Sequence, residues 1–133
     1  MTDFVLDASA LLELVTGLAP DPGLRRTSLT SNGAAPEVID LEVVTTLRRF
    51  VRSGRLTADD ARAIMVDIRE TPISRTTHRP LLDRVWELRD SVAAYDAAYI
   101  ALAERLRVPL LTCDARLGRA HGHRAEVVVY PTS

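Results

Sequence analysis

The sequence predicts an α/β sandwich on a mainly parallel sheet, and three observations predict it. Short apolar, β-rich runs alternate with longer helical patterns along the whole chain, the arrangement expected when strands and crossover helices take turns. Two of those runs stop at an aspartate, Asp7 and Asp114, at the strand ends where open parallel sheets place their ligand sites. Two successive helical patterns, separated by Ser53-Gly54 and a Thr57 cap, fold back on each other as a hairpin.

Taken in order, Asp3-Phe4-Val5-Leu6 reads as a short buried strand and Ala8 to Val15 as the helix after it. Pro20-Asp21-Pro22-Gly23 and Ser31-Asn32-Gly33 read as turns. Pro36 suits the first helical position, and from it a helix runs to about Arg52. Thr57-Ala58-Asp59-Asp60 caps the second arm of the hairpin, which ends before Pro72. Ile73 to Thr76 is a short strand and Leu81 to Arg89 a helix. Asp96 to Leu106 is another helix, closed by Arg105, Arg107 and Pro109. Leu110-Leu111-Thr112-Cys113 forms a buried strand ending at Asp114, and Val127 to Tyr130 a last strand.

A length of 133 residues suits one domain, and no repeat, linker or boundary divides it, so a single domain over residues 1–133 is expected. No stretch approaches the ~18 uninterrupted apolar residues of a membrane helix. The N-terminus, with Asp3, no basic flank and no small-residue cleavage site, does not resemble a secretory signal, which points to the cytoplasm. One cysteine, Cys113, excludes an internal disulfide and a cysteine-built metal cage. The net charge of −1 gives no overall attraction to a polyanion, but all 17 cations are arginine. Without lysine there is no Schiff base, no P-loop ammonium and no catalytic amine.

The acids carry the functional signal. Asp7 and Asp114 end strands that can converge on one crevice. Asp96 opens a helix among apolar and aromatic neighbours in Ala94-Tyr95-Asp96-Ala97-Ala98-Tyr99. A fourth acid lies in the helix after Pro36, as Asp40 or Glu42. These two project some 200° apart, so only one can face a given site. The apolar arc of Ile39, Val43, Leu47, Phe50 and Val51 includes Asp40, with Glu42 toward its edge beside Val38, so periodicity alone does not choose. Each acid also has a plainer role: Asp7, Asp96 and Asp114 as helix caps, Glu42 as a solvated side chain, Asp40 as a buried acid satisfied by a partner. The ordered set, with intervals of 35, 54 and 18 residues between Asp7, Glu42, Asp96 and Asp114, is what lifts them above those roles.

At these residues the chain resembles the PIN domains, most of all the VapC-type toxin ribonucleases. The likeness is carried by Val5-Leu6-Asp7-Ala8-Ser9-Ala10, by Ala35 to Val43, by Leu88-Arg89 through Tyr95-Asp96-Ala97-Ala98-Tyr99 to Ala103, and by Leu110-Leu111-Thr112-Cys113-Asp114-Ala115-Arg116-Leu117. It spans nearly the whole chain. It implies a three-layer α/β/α sandwich with a protruding helical hairpin. It matches Asp7, Glu42, Asp96 and Asp114 to the family's acidic quartet and Ser9 to a neighbouring hydroxyl position. It further implies RNA as substrate, a homodimer, and inhibition by a VapB-type antitoxin.

The chemistry of such a quartet agrees. Unit charges ~4 Å apart repel by roughly 4 kcal/mol at an effective dielectric near 20, so ionised carboxylates share a crevice only with protons or cations between them. Oxygen donors without cysteine or histidine select Mg²⁺ or Mn²⁺. Asp7 and Asp96 are expected to hold the ion, and Glu42 and Asp114 to orient or deprotonate the attacking water in phosphodiester hydrolysis. Two arginine groups can grip phosphates, Arg116, Arg119 and Arg124 after Asp114, and Arg48, Arg49, Arg52 and Arg55 at the end of a helix, although cations there also complement its dipole. His121, His123 and His78 read as loop residues and Cys113 as a buried small hydrophobe. Leu11, Leu12, Leu14, Ile64, Met65, Ile68, Trp86 and Leu88 supply more apolar surface than one small core needs, which leaves room for a protein partner. Other classes fare worse: a receiver-like domain needs a lysine, and a dehalogenase-like phosphatase needs Asp where Ser9 stands. A catalytically silent binding module on the same fold is the remaining alternative.

Overall fold

Phe4–Leu6, three consecutive buried residues, forms strand β1 at the centre of a five-stranded sheet whose neighbours all run parallel to each other. The computed structural model describes residues 1–133. After β1 come α1 (Ala8–Thr16), α2 (Pro22–Thr30), β2 (Gly33–Pro36), α3 (Ile39–Arg52), α4 (Ala58–Glu70) and β3 (Ile73–Thr76). A 3₁₀ turn (Arg79–Leu81), α5 (Leu82–Glu87), α6 (Ala94–Leu106), β4 (Leu110–Thr112), α7 (Ala115–Gly118) and β5 (Val127–Val129) complete the chain. No helix is long and apolar enough to cross a membrane.

The strand order is β3-β2-β1-β4-β5. The chain steps outward from β1 through β2 to β3, then returns to lay β4 on the other side of β1. Right-handed crossovers therefore put the early and the late helices on opposite faces. In agreement, α1 packs with α3 and α4, whereas α6 packs with α5 and lies across β1, β2 and β4. α6 is buried over seven consecutive residues, Ala97 to Ala103, and its alanines let it lie close to its neighbours. One core cluster of 26 buried residues joins both faces.

Two elements differ from the expectation. Pro36 does not open a helix: Gly33–Pro36 is a buried strand, and α3 begins at Ile39. Gly-Ala-Ala-Pro has no β-branched residue. It becomes a strand because β1 and β3 flank it and only small side chains fit there: a Cβ on Gly33 would stand 2.5 Å from the Phe4 ring. The Pro20–Gly23 turn is also the start of α2, with Asp21 accepting from the Gly23 and Leu24 amides and Pro22 in the first turn.

The expected hairpin forms as α3 and α4, and Thr57 with Asp60 makes a full capping box at its second arm. Of the surplus apolar residues, Leu11, Leu12, Ile68 and Leu88 are core, while Met65 on α4 and Trp86 on α5 remain exposed.

Candidate functional site

The sheet's order reverses between β1 and β4, and the crevice beyond their carboxyl ends is where a ligand site is expected. Asp7 directly follows β1, and Asp114 stands two residues beyond Thr112, the end of β4. α3 brings Glu42 and α6 brings Asp96 to the same place. Asp7, Ser9, Glu42, Asp96, Asp114 and Arg116 line one cleft of about 650 Å³.

Two of these acids are caps as well as cleft residues. Asp7 Oδ1 accepts from the Ala10 amide at 3.0 Å and from Ser9 Oγ at 2.7 Å, while its Oδ2 accepts from Thr112 Oγ1. The Asp114 carboxylate accepts from the Arg116 amide at 2.9 Å, and the Arg116 guanidinium grips both its oxygens. Asp96 stands in the first turn of α6 but caps nothing, because Ala93 occupies the cap position. Glu42 Oε1 accepts from the Tyr99 hydroxyl at 2.6 Å.

The choice between Asp40 and Glu42 follows from the face that α3 buries, which carries Ile39, Val43 and Leu47. That leaves Glu42 on the cleft side. Asp40 points to the other flank, where both its oxygens accept from Arg75 Nε at 3.1 and 3.0 Å. Arg75 also donates to the Ile68, Thr71 and Ile73 carbonyls, so this pair ties the end of α4 to β3.

Burial, first of all, pushes the Asp7, Glu42 and Asp96 carboxyls above the usual carboxylate range. Mutual repulsion adds to it: Asp96 acts on Asp7, Asp7 and Asp96 act on Glu42, and Asp114 acts on Asp96. Hydrogen bonds from Thr112, Ser9 and Ala10 to Asp7, and from Tyr99 to Glu42, oppose the rise without cancelling it. Asp114 is the exception. The hydrogen bond from the Arg116 side chain holds it below the usual range.

This donor set fits a hard divalent cation. Every cleft acid offers oxygen, the three raised carboxyls make no ion pair, though the Arg116 charge acts on Asp96, and their mutual repulsion is the kind a cation relieves. No group of three or more His, Cys, Asp or Glu side chains stands arranged to hold a metal ion. The acids line an open cleft instead, suited to an ion that keeps water and phosphate among its ligands.

Three contributors were not singled out from the sequence. Thr112 is fully buried, donates to Asp7 and accepts from the Asp114 amide at 3.0 Å, so one hydroxyl sets both strand-end acids. A hydroxyl in an otherwise apolar strand beside an acid was the available signal. Tyr99, named only as part of a motif, holds Glu42. Glu13 on α1 is a fifth acid on the cleft, 6% exposed, and accepts from the Ser133 amide at 2.9 Å and its hydroxyl at 2.8 Å. Nothing in its local pattern separates it from a solvated helix glutamate.

Ser9 spends its hydroxyl proton on Asp7 and accepts from the Cys113 amide at 2.9 Å. The Cys113 thiol is pushed up to about 11, chiefly by burial, which leaves it unreactive at neutral pH. His123 is bonded within its loop, its ring nitrogens meeting the Ala120 carbonyl and the Ala125 amide at 3.1 Å each. Of the arginines, Arg49, Arg55 and Arg116 line the cleft.

Known proteins resemble this chain in sequence and in fold. The PIN domain matches residues 4–122. Ribonuclease VapC12 of Mycobacterium tuberculosis is 36% identical over 123 residues, 92% of this chain and 95% of that protein. Ribonuclease VapC1 of the same organism is 37% identical over 132 residues, 96% of this chain and 97% of that protein. Among solved structures, PAE2754 from Pyrobaculum aerophilum superposes with a TM-score of 0.73 at 20% identity, covering 95% of this chain and 83% of that one. VapBC2 from Rickettsia felis, bound to a DNA fragment from their promoter, gives 0.68 at 11% identity, covering 97% and 99%. The two structures share the fold.

Proposed function

This chain belongs to the PIN-domain family, and from that premise we propose that it is a divalent-metal-dependent endoribonuclease, the toxin of a type II toxin–antitoxin pair. The reading rests on one observation above all: acids from four separate segments line a single cleft at the switch point of the sheet, and Asp7, Glu42 and Asp96 among them make no ion pair. The ribonuclease names of relatives 36% and 37% identical over nearly the full chain support RNA as the substrate.

In this reading Asp7 and Asp96 hold Mg²⁺ or Mn²⁺. Such an ion, when bound, would offset the charge of the acids and would polarise the scissile phosphate. Glu42 is the general base. Tyr99 occupies its Oε1 and leaves Oε2 free, and its raised pKa suits it to take a proton from the attacking water. As the water oxygen bonds to phosphorus, the bond to the leaving ribose oxygen breaks, and that oxygen is protonated from solvent. Asp114, kept ionised by Arg116, orients the water, and Ser9 and Thr112 orient Asp7. Arg116 faces substrate phosphate from the cleft edge.

A cytoplasmic homodimer, inhibited by a VapB-type antitoxin whose tail covers the cleft, completes the proposal. The Rickettsia felis neighbour, a VapBC2 complex, supports an antitoxin partner by analogy of fold. Incubating the purified chain with RNA, with Mg²⁺, with Mn²⁺ and with chelator, tests the enzyme. Cleavage is expected only with an ion, and is expected to be lost in Asp96→Asn. RNA that stays intact with both ions would leave a silent binding module as the better account.

A further inference from the structure

An acidic centre repels the polyanion it is proposed to cut, so positive charge must stand close by to hold the strand. Arg116 can supply only part of this, because two of its three guanidinium nitrogens are engaged with Asp114 at 3.2 and 2.9 Å. The cleft has a second source. Glu42, Thr45, Thr46 and Arg49 follow one another along α3 at helical spacing and all line the cleft, a strip that carries Arg49 roughly 10 Å along the helix from Glu42.

Beyond the end of α3 the chain reverses at Gly54, whose φ of +81° suits a residue without a Cβ, and Arg55 is brought back over the same wall. The Arg55 amide bonds to the Phe50 carbonyl at 2.9 Å, and its guanidinium lies 4.1 Å from the centroid of the Phe50 ring. The Arg49 guanidinium lies 5.8 Å from the same centroid. The arginines in ion pairs are Arg75, Arg84 and Arg116. Arg49 and Arg55 thus stand in an acid-lined cleft with no carboxylate partner, held by an aromatic ring that leaves their N–H donors free. Arg48 and Arg52, on the same helix, do not line the cleft.

We infer that Arg49, Phe50 and Arg55 form a subsite for the RNA strand flanking the scissile bond, the guanidiniums taking backbone phosphates and their planes offering a base a stacking surface. The inference rests on the nuclease reading and deepens it. A phosphate accepts the two-pronged guanidinium fork, and a base stacks on a guanidinium or aromatic plane. The carboxylates of an acidic peptide take the same fork, but only a base uses the guanidinium and aromatic planes, so a single-stranded nucleic acid is the better fit. The strand is then gripped on one side of the acids, so cleavage requires unpaired nucleotides on that flank.

The test is a salt titration of fluorescein-labelled single-stranded RNA binding, followed by anisotropy with chelator present so that nothing is cut. Arg49→Gln with Arg55→Gln is compared with Arg105→Gln and Arg107→Gln, at the far end of α6. The first pair is expected to weaken binding about tenfold and to lower the salt slope by ~0.7 for each phosphate no longer neutralised, while the second matches wild type. With Mn²⁺ present, KM is expected to rise and kcat to hold. Equal affinity and slope in the two pairs would overturn the subsite, as would loss of synthetic polyglutamate binding with RNA binding intact, which would assign the arginines to a protein partner. A chain that binds RNA with the expected dependence but never cuts it would keep the subsite and remove the nuclease reading. Cleavage with an unchanged KM in the arginine variant would do the reverse.

Discussion

Tyr99 donates its hydroxyl to Glu42 Oε1 across 2.6 Å, joining α6 to α3 at the cleft wall. Burial, first, and the bond to Glu42 raise the tyrosine far above its usual range, so the proton stays on the phenol and the carboxylate accepts. That bond also opposes the upward shift of Glu42.

Tyr99→Phe leaves Glu42 without a side-chain donor. The Glu42 pKa is then expected to climb further, moving the acidic limb of the cleavage pH profile to higher pH. Stability is expected to fall by about 1–2 kcal/mol, because the bond is made to a charged group. A pH–rate series beside urea unfolding checks both, and an unmoved acidic limb would remove Glu42 from the role of base.

Thr112→Val keeps the shape of a fully buried side chain but removes the donor to Asp7 and the acceptor for the Asp114 amide. About 2 kcal/mol of stability should be lost, together with affinity for Mn²⁺ measured by titration calorimetry. Thr112→Ser should retain most of both. Equal Mn²⁺ affinity in the valine variant would separate Thr112 from the ion site.

Asp40→Asn and Glu42→Gln should part company although the residues lie two apart. The Asp40 side chain is 46% exposed, so its ion pair with Arg75 is worth no more than ~0.5 kcal/mol, and cleavage should continue unchanged. Glu42→Gln should lower cleavage on the order of a hundredfold or more without destabilising the fold, since it removes a half-buried charge. Rates and melting temperatures of the two variants decide it.

The pH dependence of stability has a definite sign. The Asp7, Glu42 and Asp96 carboxyls are raised on folding, so their contribution is present under acid conditions and is lost as pH rises through their folded values. Asp114 and Glu104, each lowered by an arginine, contribute in the opposite sense, and their share is lost as pH falls through the depressed values. In chelator the melting temperature should therefore peak in mildly acidic buffer and decline toward neutrality. Mg²⁺ or Mn²⁺ should raise it at neutral pH and do little where the acids are protonated. Melts that ignore the ion at every pH would contradict an ion site among these acids.

Much of the fold was legible. Ile73–Thr76 forms a strand, and Thr57 with Asp60 caps the hairpin's second arm, because both patterns are local. Gly33–Pro36 was not legible as a strand: its burial between β1 and β3 and the fit of Gly33 beneath the Phe4 ring are properties of the neighbours. α2 was hidden by Pro22 and Gly23, which open a helix here through the Asp21 cap but signal a turn by composition.

The order of the chain determined which acids follow strands and which ride on helices, since strand ends, caps and helical spacing depend on residues a few positions apart. Tertiary structure decided the rest. Whether Asp40 or Glu42 faces the cleft depends on how α3 rolls against the core, and that roll is set by burial of Ile39, Val43 and Leu47. The Glu42–Tyr99 and Asp7–Thr112 bonds join residues 57 and 105 positions apart, and such pairings exist only after the sheet and both helix layers have closed.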